Sequence, residues 1–287
     1  MVLPYPSTAT SSCKAVLPSI EILRSCTNLE TLVRPRSTIP EALHFHFDAE
    51  HLPLLSLRRL DWWLHNEAER TGGINSLGSV LRSAPNLQYL SIGGVVGYSR
   101  IRMESKPICL PRLQTLRLHA GNGLFLRQIQ SWALPVLAKV ILDSPMIGGG
   151  LDGIWEALGP RLQVIEFGRH VRFMVNDILA PCLLACSNLT EVNYYVFFTT
   201  PPNISDSHES ITTVGLHASV NMLLQDDTDV CSHLEQHLEI LKRSLPALRR
   251  IVLYGEWGGI ISHPQLALAW QSIYDRDIII RLSSPQR

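Results

Sequence analysis

The 287-residue chain is 46% hydrophobic and 17% charged, a globular composition that excludes a largely disordered polypeptide. Its 25 Lys and Arg balance 25 Asp and Glu, so the basic excess expected of a nucleic-acid binder is missing. No apolar run reaches the roughly 18 residues of a membrane span. The six cysteines have no regular spacing, and the start lacks a basic stretch followed by an apolar core. Reduced thiols in the cytosol or nucleus are therefore expected.

Residues 1–16 read as a flexible N-terminal segment and 17–287 as a single domain. Leu17 to Ser25 reads as a helix. A recurring pattern follows it. "NLETLVR" begins the spacing L-x-x-L-x-L at Leu29, "SLRRLDW" at Leu57, "NLQYLSI" at Leu87 and "RLQTLRL" at Leu113. "VLAKVIL" continues it at Leu137, "RLQVIEF" at Leu162, "NLTEVNY" at Leu189, "SITTVGL" at Ile211 and "ALRRIVL" at Leu248. Successive starts lie 22 to 37 residues apart, most of them near the period of leucine-rich repeats, roughly 20–29 residues. "DIIIRL", Asp277 to Leu282, is expected to be a closing strand.

Helical spacing fills several of the intervals. "GGINSLGSVLRSAP" places Ile74, Leu77, Val80 and Leu81 on one face and ends at Pro85. "LDGIWEALGP", "FMVNDILAPCLLACS", "SHLEQHLEILKRSLP" and "PQLALAWQSIYDRD" repeat the layout before later strands. "EALHFHFDAEHLP", between Val33 and Leu57, is a weaker helix candidate. "RMESKPICLP", "FFTTPPNISDSHES" and the acidic "LLQDDTDVCS" are expected to be surface loops. The prediction is an α/β leucine-rich-repeat solenoid of about nine to ten right-handed strand–helix units, with a parallel sheet on its concave face.

The "PNLxxLxL" and "LPxLxxLxL" stretches resemble the divergent leucine-rich-repeat region of fungal, basidiomycete-type F-box proteins, over roughly Leu17 to Leu282. The resemblance implies substrate recognition for a ubiquitin ligase, as its adaptor only if an F-box lies upstream. The chain departs from the pattern in two ways. The usual Asn after the last Leu is replaced by Ser37, His65, Val95, Gly121, Pro145, His170, Phe197, Ser219 and Glu256. No F-box is found, since the first repeat strand follows "VLPSIEILRSC" too closely.

Alternate strand residues face opposite ways, so the positions between the leucines form the outward face. Arg59, Asp61, Trp63, Tyr89, Arg117, His119, Lys139, Glu166, Glu191, Asn193, Tyr195, His217, Arg250 and Tyr254 are the candidates for binding a protein partner. Aromatics and Arg are enriched in binding hot spots, and strand faces also favour aromatics for packing.

Other motifs carry less. "GGGLDG" sets Gly148, Gly150 and Gly153 in G-x-G-x-x-G spacing, which raises a doubly wound nucleotide-binding enzyme as an alternative. Pro145 and the five residues between strand and first Gly favour a Gly-rich repeat turn. A partnerless structural remnant is a third reading. His233 and His237 lie four apart, as zinc ligands can, but are read as exposed polar helix positions. Cys182 and Cys186 are read as packed thiols. No G-x-S-x-G elbow and no phosphate-binding G-x-x-x-x-G-K-[ST] loop occurs. Neither a cofactor, a metal, a nucleic acid nor a membrane is expected to be bound.

Overall fold

Parallel strands cannot be joined by a tight hairpin, so each must be followed by a crossover. The computed structural model describes residues 25–34, 54–64, 74–94, 107–119, 121–143, 146–147, 150–169, 177–220, 224 and 226–283. Its strands are β1 (Thr31–Arg34), β2 (Arg59–Leu64), β3 (Tyr89–Gly94), β4 (Thr115–Leu118), β5 (Gly121–Asn122), β6 (Lys139–Leu142), β7 (Met146–Ile147), β8 (Val164–Phe167), β9 (Glu191–Tyr195), β10 (Thr213–His217), β11 (Arg250–Tyr254) and β12 (Ile279–Ser283). The helices among the described residues are α1 (Ile74–Ser83), α2 (Gly123–Gln130), α3 (Leu151–Leu158), α4 (Leu179–Ala185), α5 (Asp227–Ser244), α6 (Gly258–Ile261) and α7 (Ala267–Tyr274).

The chain divides into two compact units, one of Met1–Ala138 with Met146–Ile154, the other of Lys139–Pro145 with Trp155–Arg287. In the first, β1, β2, β3 and β4 are parallel neighbours in chain order, and β5 pairs with β7. In the second, β6, β8, β9, β10, β11 and β12 follow the same rule. The protein is thus α/β, with ten parallel strands in its main ladders and, among the described residues, helices in several of the intervals between them.

Local chemistry repeats from strand to strand. In eight of the nine patterns, all but the one at Ile211, the first apolar residue donates its N–H to the carbonyl three residues back, closing one tight turn. Leu29 bonds Cys26, Leu57 bonds Leu54, Leu87 bonds Ala84, Leu113 bonds Leu110, Leu137 bonds Leu134, Leu162 bonds Gly159, Leu189 bonds Cys186 and Leu248 bonds Leu245, all at 3.0–3.3 Å. The next carbonyl accepts two N–H groups from the following strand. Glu30 accepts from Arg58 and Arg59, Arg58 from Gln88 and Tyr89, and Gln163 from Thr190 and Glu191. Thr190 and Thr212 do the same further on.

A side-chain ladder runs beside these turns, although the consensus Asn is missing. The residue just before the leading apolar position donates to the preceding turn. Ser56 Oγ reaches Thr27 O at 3.0 Å, Asn86 Nδ2 reaches Leu55 O at 2.7 Å, Asn188 Nδ2 reaches Pro160 O at 2.7 Å and Ser210 Oγ reaches Ser187 O at 2.7 Å.

The inward column is apolar throughout. Leu32, Leu60, Leu90 and Leu116 stand in register in the first unit, and Val140, Ile165, Val192, Val214 and Ile251 in the second, all buried. Helix α1 covers the ladder with Leu77, Val80 and Leu81, each fully buried.

Some expectations change. The acidic stretch before α5 is not a loop along its whole length. Helix α5 starts at Asp227, because Asp226 caps it by accepting from the Asp229 N–H at 2.9 Å. Residues 197–210 are irregular after a 3-10 turn at Val196–Phe198, but Phe197, Phe198 and Ile204 are buried. The "EALHFHFDAEHLP" helix, the helix at Leu17 apart from Ser25, and the first five residues of "RMESKPICLP" lie outside the described residues; of the remaining five, Ile108 and Leu110 are buried, so that stretch is not wholly a surface loop. Replacing fully buried Leu116 by Ala is expected to cost about 3 kcal/mol, whereas Arg117→Ala, one residue on and facing outward, should cost under about 1 kcal/mol. Urea unfolding of the two variants checks this, and equal losses would overturn the assignment of faces.

Candidate functional site

The outward residues line up in rows because the strands are in register. In the first unit, Thr31, Arg59, Tyr89 and Thr115 make one row and Val33, Asp61, Ser91 and Arg117 the next. Trp63 stands opposite Gly93, and the His119 N–H bonds Ile92 O at 2.8 Å, which places His119 beside that glycine.

These side chains hold one another. Arg59 Nε donates to Asp61 Oδ2 at 2.7 Å, and its guanidinium sits 4.4 Å from the centroid of the Tyr89 ring. His119 Nε2 and Ser91 Oγ are 2.9 Å apart. The Trp63 ring lies where a Cβ on Gly93 would stand, and its centroid is 6.0 Å from that of His119. A glycine is needed there for the indole to lie across the sheet.

In the second unit, Lys139, Val164, Glu191, Thr213, Arg250 and Ile279 form one row. Ile141, Glu166, Asn193, Gly215, Val252 and Arg281 form the next. Tyr195, His217, Tyr254 and Ser283 form the third. Lys139 Nζ pairs with Glu166 Oε2 at 3.3 Å, both partly exposed, so this contact contributes little to stability. Tyr195 stacks on His217 at 4.3 Å and 12°, and His217 on Tyr254 at 4.7 Å and 18°. Phe198 meets Tyr195 edge-on at 6.4 Å, and the Arg169 guanidinium caps Phe198 at 4.8 Å.

The stack also shapes ionisation. Burial lowers the pKa of His217, with Glu166 opposing it, so the imidazole stacks as the neutral form at neutral pH. Burial raises Tyr195 and Tyr254, helped by carboxylates of Asp143, Glu166 and Glu191.

Asn193 is an outward position that is nevertheless 5% exposed. Its Nδ2 donates to Glu191 Oε1 at 2.7 Å, and its Oδ1 lies over Gly215, buried and without a hydrogen-bond partner. Asn193 thus orients Glu191 and offers little surface of its own. The sequence reading did not single out Gly93, Gly215, Phe198, Arg169 or Arg281. Arg281 could have been found by extending the alternation into the closing strand.

The paired histidines of α5 are a correction. His233 and His237 are not exposed but 8% and 1% accessible. His233 Nε2 donates to Val196 O at 2.9 Å and Thr199 O at 3.1 Å. His237 Nε2 donates to Thr199 O at 2.9 Å, which leaves Nδ1 to accept from the Tyr194 hydroxyl at 3.2 Å. Positions four apart share a helix face whether that face is wet or buried. Buried Leu234, Leu238 and Leu241 turn this one inward. Cys182 and Cys186 are buried, as expected of packed thiols.

Gly148 of the G-x-G-x-x-G spacing lies outside the described residues. Gly150 has φ +127°, and its carbonyl accepts from Gln130 Nε2 at 3.3 Å. The same Gln130 amide occupies the place of a Cβ on Gly153. Among the described residues, no group of three or more His, Cys, Asp and Glu could hold a metal ion, and no helix is long and apolar enough to cross a membrane.

The chain matches no protein-family model, and no curated protein matches it in sequence.

Burial, then the charge of His233, lowers the His237 pKa to about 3, with the Thr199 bond opposing. The unfolded chain takes up a proton near pH 6.5 that folded His237 refuses. This site's contribution to stability is present above pH 6.5 and falls away as the pH drops toward 3. Melting temperature should decline from pH 7 to 5, and His237→Gln should flatten that decline. An unchanged slope would show that His237 does not titrate as described.

Proposed function

We propose that the chain is a non-catalytic protein-interaction module, a leucine-rich-repeat solenoid of nine to ten units whose strand face binds a protein partner. The observation that carries this reading is the Tyr195–His217–Tyr254 stack, rings already fixed by one another on an outward row. Aromatic anchors held in place before binding lose little further entropy on contact, which is what hot-spot residues require. The Trp63 ring lying over Gly93 supports the same reading in the first unit.

The resemblance to fungal F-box proteins suggests substrate recognition for a ubiquitin ligase, in the cytosol or nucleus, wherever an F-box precedes this region. Zero formal charge and paired surface ions favour a protein over a nucleic acid as partner.

Trp63→Ala combined with Tyr195→Ala should abolish capture of protein partners. Leu184→Ser, at a 68% exposed helix position away from the strand rows, should leave capture intact. Quantitative affinity capture reads the difference, and equal capture by all three proteins would overturn the assignment. Micromolar binding of a nicotinamide nucleotide by the purified chain would instead favour the enzyme reading of the Gly148–Gly153 turn.

A further inference from the structure

The second unit's outward face has a low row between two tall ones. The low row holds Asn193, Gly215 and Val252, where the asparagine lies down over a residue without a side chain. On one side stands the aromatic stack. On the other stand Glu191 and Arg250, two strands apart with Thr213 between them. Their charges are opposite, yet the structure pairs neither Glu191 with Arg250 nor Arg250 with any other described carboxylate. Arg281 lies one strand beyond and is likewise without an ion pair among the described residues. At the floor, Asn193 Oδ1 is a buried acceptor with no donor.

Building on the strand-face reading, we infer that the partner is a polyproline-II peptide segment that crosses the strands along this low row. It carries a basic side chain for Glu191 and, three residues away, an acidic one for Arg250 and Arg281. The spacing fits this conformation. Two inter-strand steps span about 9.6 Å. Residues three apart in polyproline II lie on the same side and are separated by about 9.3 Å. In a β-extended peptide, same-side residues fall about 6.7 or 13 Å apart, one too short and the other too long. Prolines between the charged residues then face the Tyr195, His217 and Tyr254 rings, as in other aromatic-lined grooves that take this helix.

The test is selection from a random dodecapeptide display library on the purified full chain, followed by fluorescence anisotropy with the enriched synthetic peptides. Peptides with a basic and an acidic residue three apart and proline between them should be enriched. Arg250→Glu with Arg281→Glu should weaken these peptides at least about tenfold and select a basic residue at the formerly acidic position. Glu191→Lys should do the reverse at the other position. Unchanged thermal melting shows that the variants are folded. Enriched peptides without this pattern, or affinities unmoved by both charge reversals, overturn the inference. If such peptides still lose binding on Tyr254→Ala, the strand-face reading survives alone. If nothing is enriched, or no outward substitution weakens binding, both fall.

Discussion

One backbone arrangement sets the register: the carbonyl after a leading apolar residue accepts two N–H groups from the next strand, at Glu30, Arg58, Gln88, Gln163, Thr190 and Thr212. The bond pairs from Glu30 to Arg58 and Arg59, and from Thr190 to Thr212 and Thr213, are the same device in two units. A shared acceptor fixes where the next strand starts, and so fixes its phase. Side chains alternate with period two, so a slip of one residue would turn every inward leucine outward. The tight turn just before it, closed by an i to i−3 bond, delivers each chain segment to that acceptor in the same orientation. Leu60, Leu90 and Leu116 then stack as one apolar column that no strand could bury by itself.

The outward rows inherit this register. Neighbouring strands lie about 4.8 Å apart, close to the spacing of stacked rings. Tyr195, His217 and Tyr254 occupy the same position on three successive strands, and their centroids are separated by 4.3 and 4.7 Å. The stack is therefore a direct product of the backbone ladder. Glycine sets the second dimension. At Gly93 and Gly215 an adjacent side chain can lie down across the sheet, Trp63 in one case and Asn193 in the other. A methyl group at either position would force that neighbour upright.

The sequence made the strand positions and their inward faces legible because the signal is a fixed spacing of large apolar residues. Leu116 and Leu118 are buried and Arg117 is not, as the alternation requires. Helix ends were less visible, since they depend on individual caps. Asp226 looks like part of an acidic loop until its carboxylate is seen to accept the Asp229 N–H. Among the candidate contact residues, alternation placed Asn193 outward correctly but could not show it nearly buried. That depends on Gly215, 22 positions further along the chain. The exposed reading of His233 and His237 failed for a related reason. A polar residue on a helix is placed by what its face meets, and here that is the irregular chain after β9.

That irregular chain explains why the histidines are where they are. The step from Leu189 to Ile211 is the shortest in the array, and a 3-10 turn with a loop replaces the crossover helix. Burying Phe197 and Phe198 takes the neighbouring carbonyls out of water, and a buried carbonyl needs a donor. His233 and His237 supply it to Val196 and Thr199, while His208 Nε2 donates to Cys186 O at 3.0 Å. At His237 the neutral imidazole suits this role, because it donates from Nε2 to Thr199 O and accepts at Nδ1 from the Tyr194 hydroxyl. The support reaches the outward face. Tyr194 turns inward to His237, and the next residue, Tyr195, turns outward into the ring stack and rests against Phe198. The buried histidine pair thus anchors the same short segment that aims the first ring of the candidate site.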